Sequence, residues 1–231
     1  MFNQSINPRS VTFNILFINI LFFLVTNVIG ERNPIIWEKS IEYCALHYPA
    51  SPLFQPVQLV TYMFMHEGFW HIFGNMFGLF MFGTILERVW GPQRFFIFYF
   101  VAGLGAAATY MVMQAVNVYQ LTGSIHPPLE IVGHVTELDA IYRTPMLGAS
   151  GALFGILVAF AMLFPNLELM MLFFPVPIKA KYLVTGYVVW ELYQGVANNP
   201  NDHVAHVAHI GGALFGFIMV KLWNKDRTHL Y

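Results

Sequence analysis

Charge is what this chain has least of. Only 10% of its 231 residues are Asp, Glu, Lys or Arg, against roughly 25% in an ordinary soluble domain. With 57% of residues hydrophobic and 23 of them Phe, a solvated globular surface is excluded and an integral membrane protein is implied. One cysteine, Cys44, excludes an intramolecular disulfide. A formal net charge of -1 provides no basic face, so no nucleic-acid partner is expected. The N-terminal polar lead-in (Asn3, Gln4, Asn7, Arg9) is followed by an apolar run with no small-residue cleavage motif. That run reads as a first membrane span rather than a removed signal peptide. With neither a basic presequence nor a soluble appended domain, the expected location is a bacterial plasma membrane.

Six uncharged or weakly charged runs predict helices at about 10–30, 66–86, 94–116, 146–164, 181–197 and 204–222. The fifth is the weakest: Lys181 starts it, Glu191 interrupts it, and Pro175 and Pro177 make its approach irregular. Phe173-Phe174-Pro175-Val176-Pro177 reads as an interfacial loop. Two long connections, 31–65 and 117–145, hold most remaining polar residues. The first carries Trp37, Tyr43, Tyr48, Pro49, Pro52 and Pro56, which suits a segment lying at the lipid–water boundary.

Basic residues orient the bundle. With the N-terminus cytoplasmic, Arg9, Arg88, Arg94, Lys179, Lys181, Lys221, Lys225 and Arg227 fall inside, and Arg32, Lys39 and Arg143 outside. Eight against three favours that orientation, with both termini cytoplasmic. Helices two, four and six then all start from the outer face. His66 and His71 fall in the first turns of the second, Ser150 in those of the fourth and His209 in those of the sixth. At 1.5 Å per residue these groups share one layer within roughly 10 Å of the outer surface, shallow enough for water.

The chemistry of that layer is acyl transfer. Serine needs a base to take its proton, and a histidine is the usual one. Ser150 at a helix start has backbone N–H groups and a positive dipole end behind it, which suit an oxyanion. Gly148 and Gly151 clear side chains from the approach. His71 and Asn75 are four residues apart on one helix face and can both donate to the same oxyanion. No acidic third member stands out. Glu191 and Asp202 are the nearest substitutes and are disfavoured, so a Ser–His dyad is expected. Small residues recur as Gly148, Ala152, Gly155 and Ala159, and as Ala205, Ala208, Gly212 and Gly216. Such stripes permit close helix approach.

Together His66 with His71 and Asn75, Glu87 to Gly91, Gly148-Ala149-Ser150-Gly151, and Ala208-His209-Ile210-Gly211-Gly212 resemble the rhomboid family of intramembrane serine proteases. The resemblance covers roughly residues 10–225, in the family's order. It implies a single all-α domain over 1–231, a six-transmembrane-helix bundle with a half-embedded loop after the first helix. It implies Ser150 as nucleophile, His209 as general base, and His71 and Asn75 as oxyanion-hole side chains, with Gly148, His66 and Phe154 supporting the site. The partners implied are transmembrane protein substrates, cut near their outer ends after entering from the lipid bilayer past the second and fifth helices. No cofactor and no metal are expected. Where the family often has Tyr four residues after the serine, this chain has Phe154, which keeps an aromatic face for the histidine and loses the hydroxyl. The 117–145 segment matches none of these motifs and reads as a family-variable insertion.

Blander readings stand beside these. A lone membrane serine more often packs between helices. His203 and His206 read as surface residues, Glu191 as interfacial, and Glu87 with Arg88 as capping and anchoring a cytoplasmic helix end. A zinc site at His66-Glu67 is disfavoured because His71 lies five residues on, about 140° round a helix. His203, His206 and His209 would hold a shared zinc only with strain. The alternative function is a catalytically inactive rhomboid-like binder or chaperone of transmembrane helices. A channel is disfavoured because Ile156–Phe164 and Ala213–Val220 are nearly featureless.

Overall fold

Helix α1 (Val11–Ile29) is capped twice. Ser10 Oγ accepts from the Phe13 N–H, and a second cap arrives from a distant helix end. The computed structural model describes residues 10–30, 32–171, 174–197 and 205–223. Arg9, Phe173, Asp202, His203, Val204, Lys225 and Arg227 lie outside the described residues.

After α1 come α2 (Pro34–Cys44), with proline at its first turn, and the short α3 (Gln58–Thr61), which tightens into one further turn at Tyr62–Phe64. The next long helix, α4 (Phe69–Trp90), contains a wider turn at Leu79–Gly83. It is separated from α5 (Pro92–Thr122) by Gly91 alone. The φ of Gly91 is +81°, a conformation that a side chain resists, and Pro92 then presets the first turn of α5. Helices α6 (Thr136–Arg143) and α7 (Ser150–Leu163) follow. A two-stranded antiparallel hairpin of β1 (Glu168–Met171) and β2 (Phe174–Lys179) leads into α8 (Ala180–Ala197), and α9 (His206–Trp223) ends the described chain.

The fold is thus an all-helical membrane fold apart from one hairpin. Among the described residues four helices, α1, α4, α5 and α9, are long and apolar enough to cross a membrane by length and composition. The other two expected spans differ from expectation. The 146–164 run is helical only from Ser150, 14 residues or about 21 Å. Its first four residues precede the helix: Met146 pairs with Leu46 in both directions, each N–H donating to the other's carbonyl at 2.8 Å, and Gly148 turns with a positive φ. Helix α8 has the length but not the apolarity. Its approach, expected as an interfacial loop, is β2, paired through Lys179↔Glu168 and Ile178↔Leu169.

Helices α5, α7 and α9 form the centre. A Cβ on Gly216 of α9 would lie 2.6 Å from the Gly155 Cα of α7, and one on Gly212 would run into the Gly151 carbonyl. A Cβ on Gly155 would meet the Ala102 Cβ of α5 at 2.6 Å. The small-residue stripes therefore face each other, and van der Waals contact between backbones replaces the side chains they lack. The 31–65 and 117–145 connections fold against one another rather than separately. Tyr48, Val118, Val132, Leu138 and Tyr142 make a second buried cluster, with the Tyr48 and Tyr142 rings 5.5 Å apart. Cys44 ends α2, where burial pushes its thiol above the ordinary range, consistent with an inert role.

The second cap on α1 is Glu87 from the last turn of α4. It accepts from Ser10 Oγ (2.9 Å), the Val11 N–H (2.8 Å), the Thr12 N–H (2.9 Å) and Thr12 Oγ1 (2.6 Å). The capping expected of Glu87 is real, but the helix end it serves is α1's, where unpaired N–H groups and the positive dipole end welcome a carboxylate. Glu87→Ala should therefore cost about 2–4 kcal/mol by orphaning several donors at once. The check is a lowered midpoint of thermal unfolding in detergent, and an unchanged midpoint would refute the cap.

Candidate active site

Ser150 is the first residue of α7, and its placement is fixed from outside the helix. The Met146–Leu46 pairing holds the incoming strand, and the Gly148 N–H donates to the Tyr62 carbonyl at 2.9 Å. Gly148 then turns with φ +123°. A Cβ there would approach His71 Nε2 to 2.8 Å and Ser150 Oγ to 3.6 Å, so the missing side chain leaves a gap between those two groups. Backbone N–H groups in the first turn of a helix have no intrahelical acceptor, and those of Ser150 and Gly151 are in that position.

His209 lies in the first turn of α9, buried at 8% exposure. Its Nε2 is 2.7 Å from Ser150 Oγ, across 59 residues of sequence. Phe154, one turn further along α7, stacks on its ring with centroids 4.4 Å apart and planes 11° apart. The far side of the imidazole is held as well. His209 Nδ1 lies 2.7 Å from Glu191 Oε2, and the same oxygen is 2.7 Å from His206 Nδ1. With Nδ1–H donating to the carboxylate, Nε2 of the neutral ring is left to accept the serine hydroxyl proton.

His71 lies in the first turn of α4. The Glu67 N–H donates to its Nδ1 at 3.5 Å, which puts the neutral ring's proton on Nε2, the atom beside Gly148. Asn75 is buried one turn later, and its Nδ2 donates to the His71 carbonyl at 3.0 Å. His66 is fully buried but precedes the helix, which starts at Phe69 after Gly68. Its carbonyl accepts from Asn27 Nδ2 at 2.8 Å, and its ring packs edge-on to His71 at 4.9 Å. The expected helical placement of His66 is therefore corrected. The 140° separation assumed both rings were on one helix, but the chain between them is non-helical until Phe69, with Met65 and Gly68 extended, and the rings lie together.

Two further expectations are corrected. Glu191, read as interfacial, is 4% exposed and bonded into the site. His206, read as a surface residue, has a side chain only 11% exposed and bonded to Glu191. A signal for Glu191 was present in the sequence. Ala180, Val184 and Glu191 are the buried residues of α8, and steps of four and seven keep them on one face. A carboxylate on the inward face of a helix within a membrane bundle is functional by default. The coordinating atoms of Glu191, His206 and His209 lie within 4.8 Å of one another, so among the described residues these three are a group able to converge on a divalent ion. Asp202 and His203 lie outside the described residues.

A serine hydroxyl 2.7 Å from an imidazole, a stacked aromatic and donors around a glycine gap, all near helix starts in an apolar bundle, make up the candidate site of a membrane-embedded protein. The Rhomboid domain family model matches residues 53–225, about three-quarters of the chain, and the chain belongs to that family. It is 29% identical over 227 residues to Rhomboid protein 1, mitochondrial, of Saccharomyces cerevisiae, covering 96% of this chain and 56% of that one. It is 28% identical to RHOMBOID-like protein 12, mitochondrial, of Arabidopsis thaliana, covering 97% and 61%. It is 25% identical to the human Presenilin-associated rhomboid-like protein, mitochondrial, covering 98% and 55%. The chain thus spans little more than half the length of these relatives. Their names place them in mitochondria and give no support to the bacterial plasma membrane expected above.

Gly148→Ala tests the gap directly. The left-handed backbone should add about 1–3 kcal/mol of strain, and the new Cβ should push the His71 ring. A lower thermal midpoint together with a shifted His71 ¹⁵N resonance is expected. An unperturbed His71 spectrum would show that the gap is not where Gly148 places it.

Proposed function

We propose that this chain is an intramembrane serine endopeptidase that hydrolyses transmembrane segments of other membrane proteins near their outer ends. The observation that carries this reading is the 2.7 Å contact between Ser150 Oγ and His209 Nε2 at the start of α7. Membership of the rhomboid family supports it.

In the proposed reaction His209 Nε2 takes the hydroxyl proton as Ser150 Oγ bonds to the scissile carbonyl carbon. The carbonyl oxygen becomes an oxyanion, facing the first N–H groups of α7 and the His71 Nε2–H beside Gly148, with Asn75 adding an amide donor. Donors fixed in advance are worth most where water is scarce. Collapse of the tetrahedral intermediate breaks the C–N bond, and His209 returns its proton to the leaving amine. Water, deprotonated by the same imidazole, then attacks the acyl-serine, and the proton returns to Ser150 Oγ as acid is released. Phe154 keeps the imidazole plane fixed through both half-reactions.

The proposed topology puts both termini on the cytoplasmic side, as the eight-to-three distribution of basic residues favours. Ser150, His71 and His209 each fall within the first turn of a helix. That supports one shallow layer at the opposite face, where water and the outer end of a substrate helix can meet. The single domain proposed for 1–231 has its core at about 10–225.

A fluorophosphonate should label the parent protein and fail to label Ser150→Ala, and the parent should cleave a reporter transmembrane segment in liposomes. His209→Ala should abolish turnover. His71→Ala and Asn75→Ala should each slow it, by up to about a thousandfold for a non-redundant oxyanion donor. A folded parent that binds reporter helices without labelling or cleavage would instead be a binder or chaperone of transmembrane helices.

A further inference from the structure

We infer that Glu191 is a positioning residue for His209, so that the reaction runs on a Ser150–His209–Glu191 triad rather than on the two residues that the family resemblance implies. The inference rests on the serine-protease reading and deepens it.

Three observations converge. The first is geometry: Glu191 Oε2, His209 Nδ1, His209 Nε2 and Ser150 Oγ form one chain with both hydrogen bonds at 2.7 Å. A neutral imidazole has one N–H. Donating it to a carboxylate at Nδ1 leaves Nε2 as the lone-pair nitrogen, the tautomer that general-base attack requires. The second is burial. A carboxylate 4% exposed among membrane helices is costly to keep, and α8 otherwise turns residues such as Tyr182, Val189, Trp190 and Tyr193 outward. The third is support. His206 Nδ1 donates to the same oxygen at 2.7 Å from one turn before His209. Two parallel donors from α9 pin the carboxylate's position and rotation, and the side chain's oxygen cannot swing away without breaking both bonds.

The carboxylate has two consequences for the chemistry. It stabilises the imidazolium that exists only after His209 has taken the serine proton, so its contribution falls on the transition state and the intermediate rather than on substrate binding. It also fixes the ring in the plane set by Phe154, which otherwise restrains the imidazole by stacking alone. No proton passes to Glu191 at any step. Nδ1–H remains on His209 throughout, and the mobile proton travels only between Ser150 Oγ, Nε2 and the leaving group.

The test uses the full chain in detergent or liposomes, with Ser150→Ala as the blank. Glu191→Gln should lower kcat for a reporter transmembrane segment by roughly a hundredfold, less than the ten-thousandfold seen where a buried triad carboxylate is neutralised, because Phe154 still holds the ring. KM should stay within about twofold, as befits loss of an interaction made only in the transition state. Glu191→Asp, which keeps the charge, should recover at least tenfold of that loss. A Glu191→Gln protein that turns over like the parent, or one whose loss lies in KM, overturns the proposal.

Should Glu191→Gln not fold, the parent decides by ¹⁵N-histidine NMR, with the His209 signals identified by difference from His209→Gln. Neutral His209 must carry its proton on Nδ1, and a proton on Nε2 overturns the proposal. Chelation with EDTA should leave the parent's rate unchanged. A rate lost on chelation and restored by Zn²⁺ would make Glu191, His206 and His209 metal ligands and overturn the positioning role. The tautomer measurement needs no turnover, so it separates failure of this inference from failure of the protease reading, which would appear as a parent that neither cleaves nor labels.

Discussion

The close backbone approach of α7 and α9 is the constraint on which the rest depends. Between membrane helices there is no hydrophobic gain from leaving lipid, so contact must come from packing. The Gly151 carbonyl faces Gly212, and Gly155 faces Gly216, with no space for a side chain between them. Ser150 is one residue from the first of these contacts and His209 three residues from it. A serine side chain is short and an imidazole has only two rotatable bonds. A 2.7 Å hydrogen bond between them therefore needs the two backbones to be close and fixed. The stripe is what turns two polar residues on separate helices into one site.

The two buried carboxylates follow a single rule, which is that each sits where donors converge. Glu87 closes the N-terminus of α1 with four bonds, and Glu191 takes two imidazole donors from α9. Asn19 spends its amide on the Ile15 carbonyl, and Asn27 spends its amide on His66. Unpaired, any of these would oppose insertion by several kcal/mol. Helix α4 links two of the clusters, with His71 and Asn75 near its start and Glu87 in its last turn. The anchoring of α1 at one end of α4 thus steadies the helix that carries the proposed oxyanion donors at the other.

What the sequence made legible was whatever depends on local period. His71 and Asn75 at i and i+4, the Gly/Ala stripes from Ala152 and Ala208 onward, and Ser150 at a helix start all survive into the structure, because helix geometry fixes those relations whatever the surroundings. Boundaries near the site were less legible. His66 was assigned to a helix that begins three residues later, and Met146 to Ala149 to one that begins at Ser150. In both places a tertiary hydrogen bond holds the chain just ahead of the helix, Asn27 with the His66 carbonyl and Leu46 with Met146, and no local pattern announces such partners. Glu191 was misjudged for a different reason. Its charge marked α8 as a weak span, and that same charge is met by residues 15 and 18 positions further on.

The two long connections show why Ser150 could not be positioned by helix packing alone. Helix α7 is short, and its N-terminus must be held at a set height against α9 for the hydroxyl to meet Nε2. The height is set by Leu46 through Met146 and by Tyr62 through Gly148, both from the 31–65 connection. That connection is itself tied to the 117–145 segment. Ser51 Oγ donates to the Tyr142 carbonyl at 2.9 Å, and Tyr48 Oη donates to the Ile125 carbonyl at 2.8 Å, around the second buried cluster. A segment that reads in sequence as an insertion is in structure a buttress. It packs on the loop that fixes the strand that fixes the serine, so its apolar face bears on the site without touching it.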